Sequence, residues 1–272
     1  MLLCLEGYIF VYGEEPKMVG DVIIGSMIST IVFSILLFPA FILYYRKREG
    51  ITVKPLILGS IGFIVFTQVL EKILHVVVIK NFPNYAQHPW AFGLYGGLAA
   101  GIFEEIGRFI LFTWLLKKYQ DYRSGLSFGI GWGGIEAVVI TLMLIAPNLV
   151  FALMINSATF DTAMASQLPP DQITAIKDML LTQGPGSYLW GIPERFFAVF
   201  MQIAFSLLVL LAVVKRKFIY VFYAILIHAV IDFPAVFYQT GHLKILWILE
   251  LYIAIIGILS MFFIRRIRDH FN

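Results

Sequence analysis

An all-α, polytopic membrane bundle of about seven spans is the fold class that the sequence predicts, on three observations. The 272-residue chain is 60% hydrophobic and only 14% charged. Its apolar residues gather into runs of about twenty or more, the length that crosses a hydrocarbon layer. No polar stretch is long enough to build a soluble domain, so residues 1–272 are expected to form a single integral-membrane domain. The runs fall at about 19–45, 55–79, 90–116, 124–146, 187–214, 218–238 and 243–264, with one long connection over 147–186.

The net charge of +3 could suggest an anionic partner, but the basic residues lie at alternate span ends. Arg46, Lys47, Arg48 and Lys54 follow the first span; Lys117, Lys118 and Arg123 follow the third. Lys215, Arg216 and Lys217 follow the fifth, and Arg265, Arg266 and Arg268 the last. The opposite loops hold only Lys17, Lys80, Lys177 and Lys244. This asymmetry predicts an outside N-terminus, a cytoplasmic C-terminus and an extracellular 147–186 connection. The lipid bilayer is therefore the expected partner of the bulk of the chain, and nucleic acid is not. The lone Cys4 excludes an intramolecular disulfide framework and a cysteine-based zinc cluster. Met1 to Tyr12 lacks a basic leader and a small-residue cleavage site, so no cleaved signal peptide is read there.

Taken in order, the first span carries little of a polar kind besides Ser26, Ser29, Thr30 and Ser34 and reads as scaffold. In the second, Gln68, Glu71, Lys72 and His75 recur at i, i+3, i+4 and i+7, one helical stripe that must face the bundle interior because lipid offers no hydrogen bonds. It reads as an interhelical polar clasp, or as a stripe in which Glu71 or His75 takes part in chemistry. The third span holds Glu104-Glu105-Ile106-Gly107-Arg108. A charge at mid-bilayer costs about 2.5–3.5 kcal/mol on insertion scales, which marks a functional-site candidate. Gly93, Gly97 and Gly101 lead by fours to Glu105, and Gly96 and Ala100 lead to Glu104 and Arg108, so the glutamates are expected at a tight helix crossing.

The fourth span places Gly129, Trp132, Gly133 and Glu136 on one face, and Glu136 is a further carboxylate at membrane depth. Its Gly125-x-Ser127-x-Gly129 lacks the strand-turn-helix setting of a nucleophile elbow and reads as chance in a Gly-rich helix. In the connection, Pro169-Pro170-Asp171 signals a helix start with Asp171 as the cap. The short amphipathic face that follows reads as a lid or as a packed interfacial loop. The fifth span carries Glu194-Arg195, with Glu194, Ala198 and Gln202 on one face. In the sixth, His228 and Asp232 stand one turn apart, ahead of Pro234. The seventh, with Glu250 near its outer end, reads as scaffold.

Glu104, Glu136, Gln202 and His228 each fall about midway along their spans and can converge at one depth. A desolvated glutamate beside a second one, with Arg108 holding its neighbour ionised, suits a general base that activates water. His228, oriented by Asp232, suits a donor to a developing oxyanion. No His-Glu-x-x-His occurs, so a divalent metal such as zinc is permitted but not demanded, with Glu105, His228 and Asp232 as candidate ligands.

Four segments together carry a resemblance: Glu104-Glu105-x-x-Arg108, Gly133-Gly134-Ile135-Glu136, Glu194-Arg195-x-x-Ala198 and His228-x-x-x-Asp232. The chain resembles YhfC-type intramembrane metalloproteases, a group similar to the CAAX prenyl protease, bacteriocin-processing and PrsW membrane proteases. The resemblance implies a bacterial cell-membrane hydrolase acting on a hydrophobic peptide or membrane-protein substrate. It implies Glu104 or Glu105 as the water-activating base and His228 with Asp232 as oxyanion or metal partner. Arg108, Glu136, Glu194, Arg195, Gln202, His75 and Glu71 are expected in support. The chain departs from the family pattern at Trp132 and Gln202, where that pattern has histidines. The competing readings are a catalytically inactive membrane binding or immunity protein of the same fold, and a transporter, for which no clear interrupted-helix repeat is present. A Ser127–His228 dyad is disfavoured because Ser127 belongs near the cytoplasmic surface.

Overall fold

The computed structural model describes residues 18–271. The Met1 to Tyr12 stretch, Cys4 and Lys17 lie outside them. Within the described residues the chain is helical, with no strand. The principal helices are α1 (Asp21–Arg48), α2 (Val53–Asn81), α3 (Pro89–Ile110, extended by a π-turn over Leu111–Leu115) and α4 (Tyr122–Asn156). After the short α5 (Phe160–Met164) and α6 (Pro170–Thr182) come α7 (Gly186–Lys215), α8 (Ile219–Gln239) and α9 (Leu246–Ile267).

Six of these, α1, α2, α4, α7, α8 and α9, are long and apolar enough to cross a membrane. The third predicted span coincides with α3, whose hydropathy is lowered by the Glu104, Glu105 and Arg108 that make it of interest. α7 is the central helix: 72% of its most apolar window is buried, against 33% or less in the other five. It packs on α4 and α9, with α1 and α2 against the far side of α4 and α3 against α8. Leu37, Leu126, Ile130, Val199, Ile203 and Leu207 form the core of the α1–α4–α7 side.

The small-residue stripe of α3 produces the predicted close crossing, and its partner is α8. A Cβ on Gly101 would stand 2.7 Å from the Ile225 carbonyl oxygen, and one on Gly97 would collide with that of Ala229. Backbone-to-backbone approach of this kind needs glycine, and it sets the α3 carboxylates against His228 of α8. α2 departs from α geometry over Phe63–Glu71, which is π-helical.

Two expectations change. The fourth span does not end near 146: α4 continues through Pro147 to Asn156, where Asn156 Oδ1 accepts from the Val19 N–H at 2.7 Å. In a protein core or membrane, neighbouring helices can compensate the amide that proline lacks. The rest of the 147–186 connection is largely helical, and its second helix is capped by Pro169, not Asp171, which falls in the first turn. Leu180 of that helix packs with Val19, Met27 and Ala152. The segment is thus a helical layer packed over the ends of α1 and α4, and it contributes no residue to the central cavity.

The basic span ends gather at the opposite end of the bundle. Arg268 pairs with Glu49 at 3.1 Å, and Arg48, Arg265 and Arg268 line one cleft there. Ser127 is also near this end, accepting from the Thr52 N–H at 2.9 Å and donating to the Arg123 carbonyl. That is a structural role, as expected of a chance Gly-x-Ser-x-Gly.

Candidate active site

The π-turn at its C-terminal end and the glycine crossing leave one turn of α3 to present three charged side chains inward. Glu104, Glu105 and Arg108 are all buried. Arg108 forks between the carboxylates, donating from Nη1 to Glu105 Oε1 and from Nη2 to Glu104 Oε2 at 2.8 Å. Nη2 also donates to Gln202 Oε1 on α7. The guanidinium lies over the Trp132 ring, 4.4 Å from its centroid, and Trp132 Nε1 donates to Glu104 Oε2 at 3.0 Å. Gln202 and Trp132 therefore both serve the arginine. A guanidinium needs acceptors and an aromatic face, and these two residues supply them.

His228 of α8 stacks on Phe205, ring centroids 4.6 Å apart and planes 9° from parallel. Its Nδ1 donates to Glu105 Oε1 at 2.6 Å. With Nδ1–H committed, Nε2 faces Asp232 Oδ2 at 3.4 Å and Glu104 Oε1 at 4.0 Å. Two carboxylate oxygens around a ring nitrogen's lone pair demand positive charge, either a second ring proton or a metal ion. One atom each from Glu104, Glu105 and His228 falls within 4.8 Å of the others, all buried. A ring nitrogen with carboxylate oxygens beside it, its other nitrogen bonded to a carboxylate, is a donor set that suits a divalent ion.

Glu104, Gln202, His228 and Asp232 open on a cavity of about 570 Å³. Glu105 and Arg108 stand behind its wall. Glu136, Glu194 and Arg195 line the same cavity but form their own group: Arg195 is ion-paired with Glu194 and stands 3.7 Å from Glu136 Oε1. Glu136 thus joins the predicted cavity without touching His228. Gln68, Glu71, Lys72 and His75 line it from α2, with Glu71 buried and Lys72 at the exposed edge of the stripe. His75 Nε2 donates to Glu71 Oε1 at 3.1 Å, and Tyr95 Oη lies 2.6 Å from Nδ1.

Sequence reasoning did not single out Tyr95 or Phe205. An aromatic ring among apolar residues has no spacing signature. Tyr95 lines the same cavity as Glu104, but it stands nine residues before it, off the small-residue stripe, so spacing did not point to it.

The family model described as YhfC intramembrane metalloprotease matches residues 31–253. The chain belongs to the YhfC family. It is 35% identical over 234 residues, 85% of this chain and 91% of the relative, to the uncharacterized membrane protein YhfC of Bacillus subtilis (strain 168). No solved structure matches. Membership in the YhfC family and the six apolar helices make this a multi-pass bacterial cell-membrane protein of an intramembrane protease family. The stretch matched by the YhfC model includes every charged residue of the cavity.

Proposed function

We propose that this protein hydrolyses a peptide bond of a hydrophobic peptide or membrane-protein segment within the bilayer, with Glu104 as the base that activates water. The observation carrying this reading is the division of labour between the two glutamates. Glu104 and His228 border the cavity, whereas Glu105 is fully buried behind it. Glu104 Oε2 is fixed by Trp132 and Arg108, which leaves Oε1 toward His228 Nε2. Oε1 accepts a proton from water as the water oxygen bonds to the carbonyl carbon. The same proton then passes to the departing amine nitrogen as the C–N bond breaks, which closes the balance.

His228 is held in one ring orientation by Glu105 at Nδ1 and by the Phe205 face. With a second proton on the ring, Nε2–H donates to the carbonyl oxygen as negative charge develops there. In place of that proton, His228 Nε2 and Asp232 would hold a divalent ion beside Glu104, which when bound supplies Lewis acidity toward water and carbonyl. Glu105, one of the ligand candidates, reaches the other ring nitrogen and acts as a positioning residue. The basic ends of the bundle would lie in the cytoplasm, with the α5–α6 layer outside.

The test is cleavage of a panel of quenched hydrophobic peptides by purified protein, with and without a chelator. Glu104→Gln is expected to reduce turnover about 10²–10⁴-fold, with Ser127→Ala unaffected. Undiminished cleavage by Glu104→Gln, or loss confined to Ser127→Ala, would overturn the assignment. Inactivation by chelator with recovery on added zinc would establish the metal.

A further inference from the structure

The α2 side of the cavity holds polar groups that the hydrolytic reading leaves unused. Thr67, Gln68 and Glu71 all line the cavity, on the π-helical stretch of α2. Thr67 Oγ1, Gln68 Oε1 and Glu71 Oε2 are each buried with no hydrogen-bond partner. The Glu71 side chain is only 7% exposed. Unsatisfied buried polar groups cost about 1–3 kcal/mol each and more for charged groups, so three within about one turn of helix call for a ligand.

The histidine, tyrosine and cationic groups of the cavity wall make their contacts elsewhere than at these three oxygens. The Tyr95 hydroxyl donates to His75 Nδ1 and His75 Nε2–H donates to Glu71 Oε1, which completes that chain with a single ring proton and leaves Oε2 bare. Lys72, although adjacent, directs its Nζ to Met143 Sδ on α4 at 3.1 Å. Arg195, the other cation lining the cavity, lies between Glu194 and Glu136. The remaining wall adds Glu104 and Asp232, so carboxylates outnumber cations around the space.

We propose that Thr67, Gln68 and Glu71 form a second subsite in this cavity that takes the positively charged side chain, ammonium or guanidinium, of a hydrophobic peptide. An ammonium carries three N–H donors and no acceptor, the complement of three bare oxygens. The peptide as ligand rests on the proteolytic reading; the charge preference does not. Glu71 recognises the charge, Gln68 and Thr67 add neutral acceptors, and His75 with Tyr95 keeps the Glu71 carboxylate in place.

The test measures binding of two otherwise identical leucine-alanine peptides of about twenty residues, one with a central lysine and one with norleucine. The protein carries Glu104→Gln so that hydrolysis does not intervene. The lysine peptide is expected to bind at least about 10-fold tighter, a 1.4 kcal/mol difference. Adding Glu71→Gln should bring the ratio near one, and adding Gln68→Leu should lower it several-fold without touching the His75 pair. Equal affinity for the two peptides, or a preference that survives Glu71→Gln in folded protein, would overturn the subsite. Cleavage by the wild-type protein with no lysine preference removes the subsite and keeps the protease; lysine preference with no cleavage does the reverse.

Discussion

Glu104 and Glu105 are chemically identical neighbours with different surroundings, and substitution should separate them. In Glu104→Gln the amide oxygen still accepts from Trp132 and Arg108, so the fold should persist while cleavage is lost. Glu105→Gln removes the charge facing both Arg108 and His228 in a fully buried setting. Breaking such a pair costs about 3–5 kcal/mol, and thermal unfolding in detergent should show a larger fall than for Glu104→Gln. Equal falls would mean that the two carboxylates share the load. The Glu-Glu-x-x-Arg motif was legible because charge is conspicuous in an apolar run. The role of Trp132 was not, because its two partners, the Arg108 guanidinium over its ring and the Glu104 carboxylate that accepts its indole N–H, lie on another helix that no spacing identifies. For His228 the sequence pointed to Asp232 at i+4. The shorter bond, to Glu105, spans 123 residues and becomes visible only when α3 and α8 cross.

That crossing is the feature on which the site depends among the helices. Gly97→Val drives a side chain into the Ala229 carbonyl and should destabilise by about 3 kcal/mol, with loss of the Glu105–His228 bond. Gly25→Ala in α1 meets nothing within 4 Å and should stabilise by about 0.5–1 kcal/mol. Thermal unfolding of the two variants tests both the contact and its specificity; a Gly97→Val protein as stable as wild type would contradict it. Small-residue spacing made this crossing foreseeable, but not that α8 was the partner, since any helix with an accessible backbone satisfies the same pattern. Helix ends were read less well. Hydropathy ended the fourth span near 146, but this helix continues through Pro147 to Asn156 with its end tied to Val19.

For the molecule as a whole, the gathering of Arg48, Arg265 and Arg268 at one end predicts its orientation in the bilayer. In a Cys4→Ser background, a membrane-impermeant maleimide should label Thr182→Cys on intact cells and Arg268→Cys only after permeabilisation. The opposite pattern would invert the topology. Hydropathy predicted seven spans; six helices are long and apolar enough to cross a membrane, and α3, the remaining one, is less apolar because it carries the charges. The π-helical stretch of α2 has a further consequence for chain length. Closing hydrogen bonds five residues back fits an additional residue into a turn while the helix on either side keeps its direction. Gly59 can therefore face the Phe128 carbonyl of α4 and His75 can face Tyr95 although the intervening residues are out of phase with an α repeat. Deleting exposed Val65 should then shorten α2 by one residue without turning either face away. Its cost would fall on the placement of Thr67 and Gln68, so that the length of this helix sets what the cavity recognises independently of whether it folds.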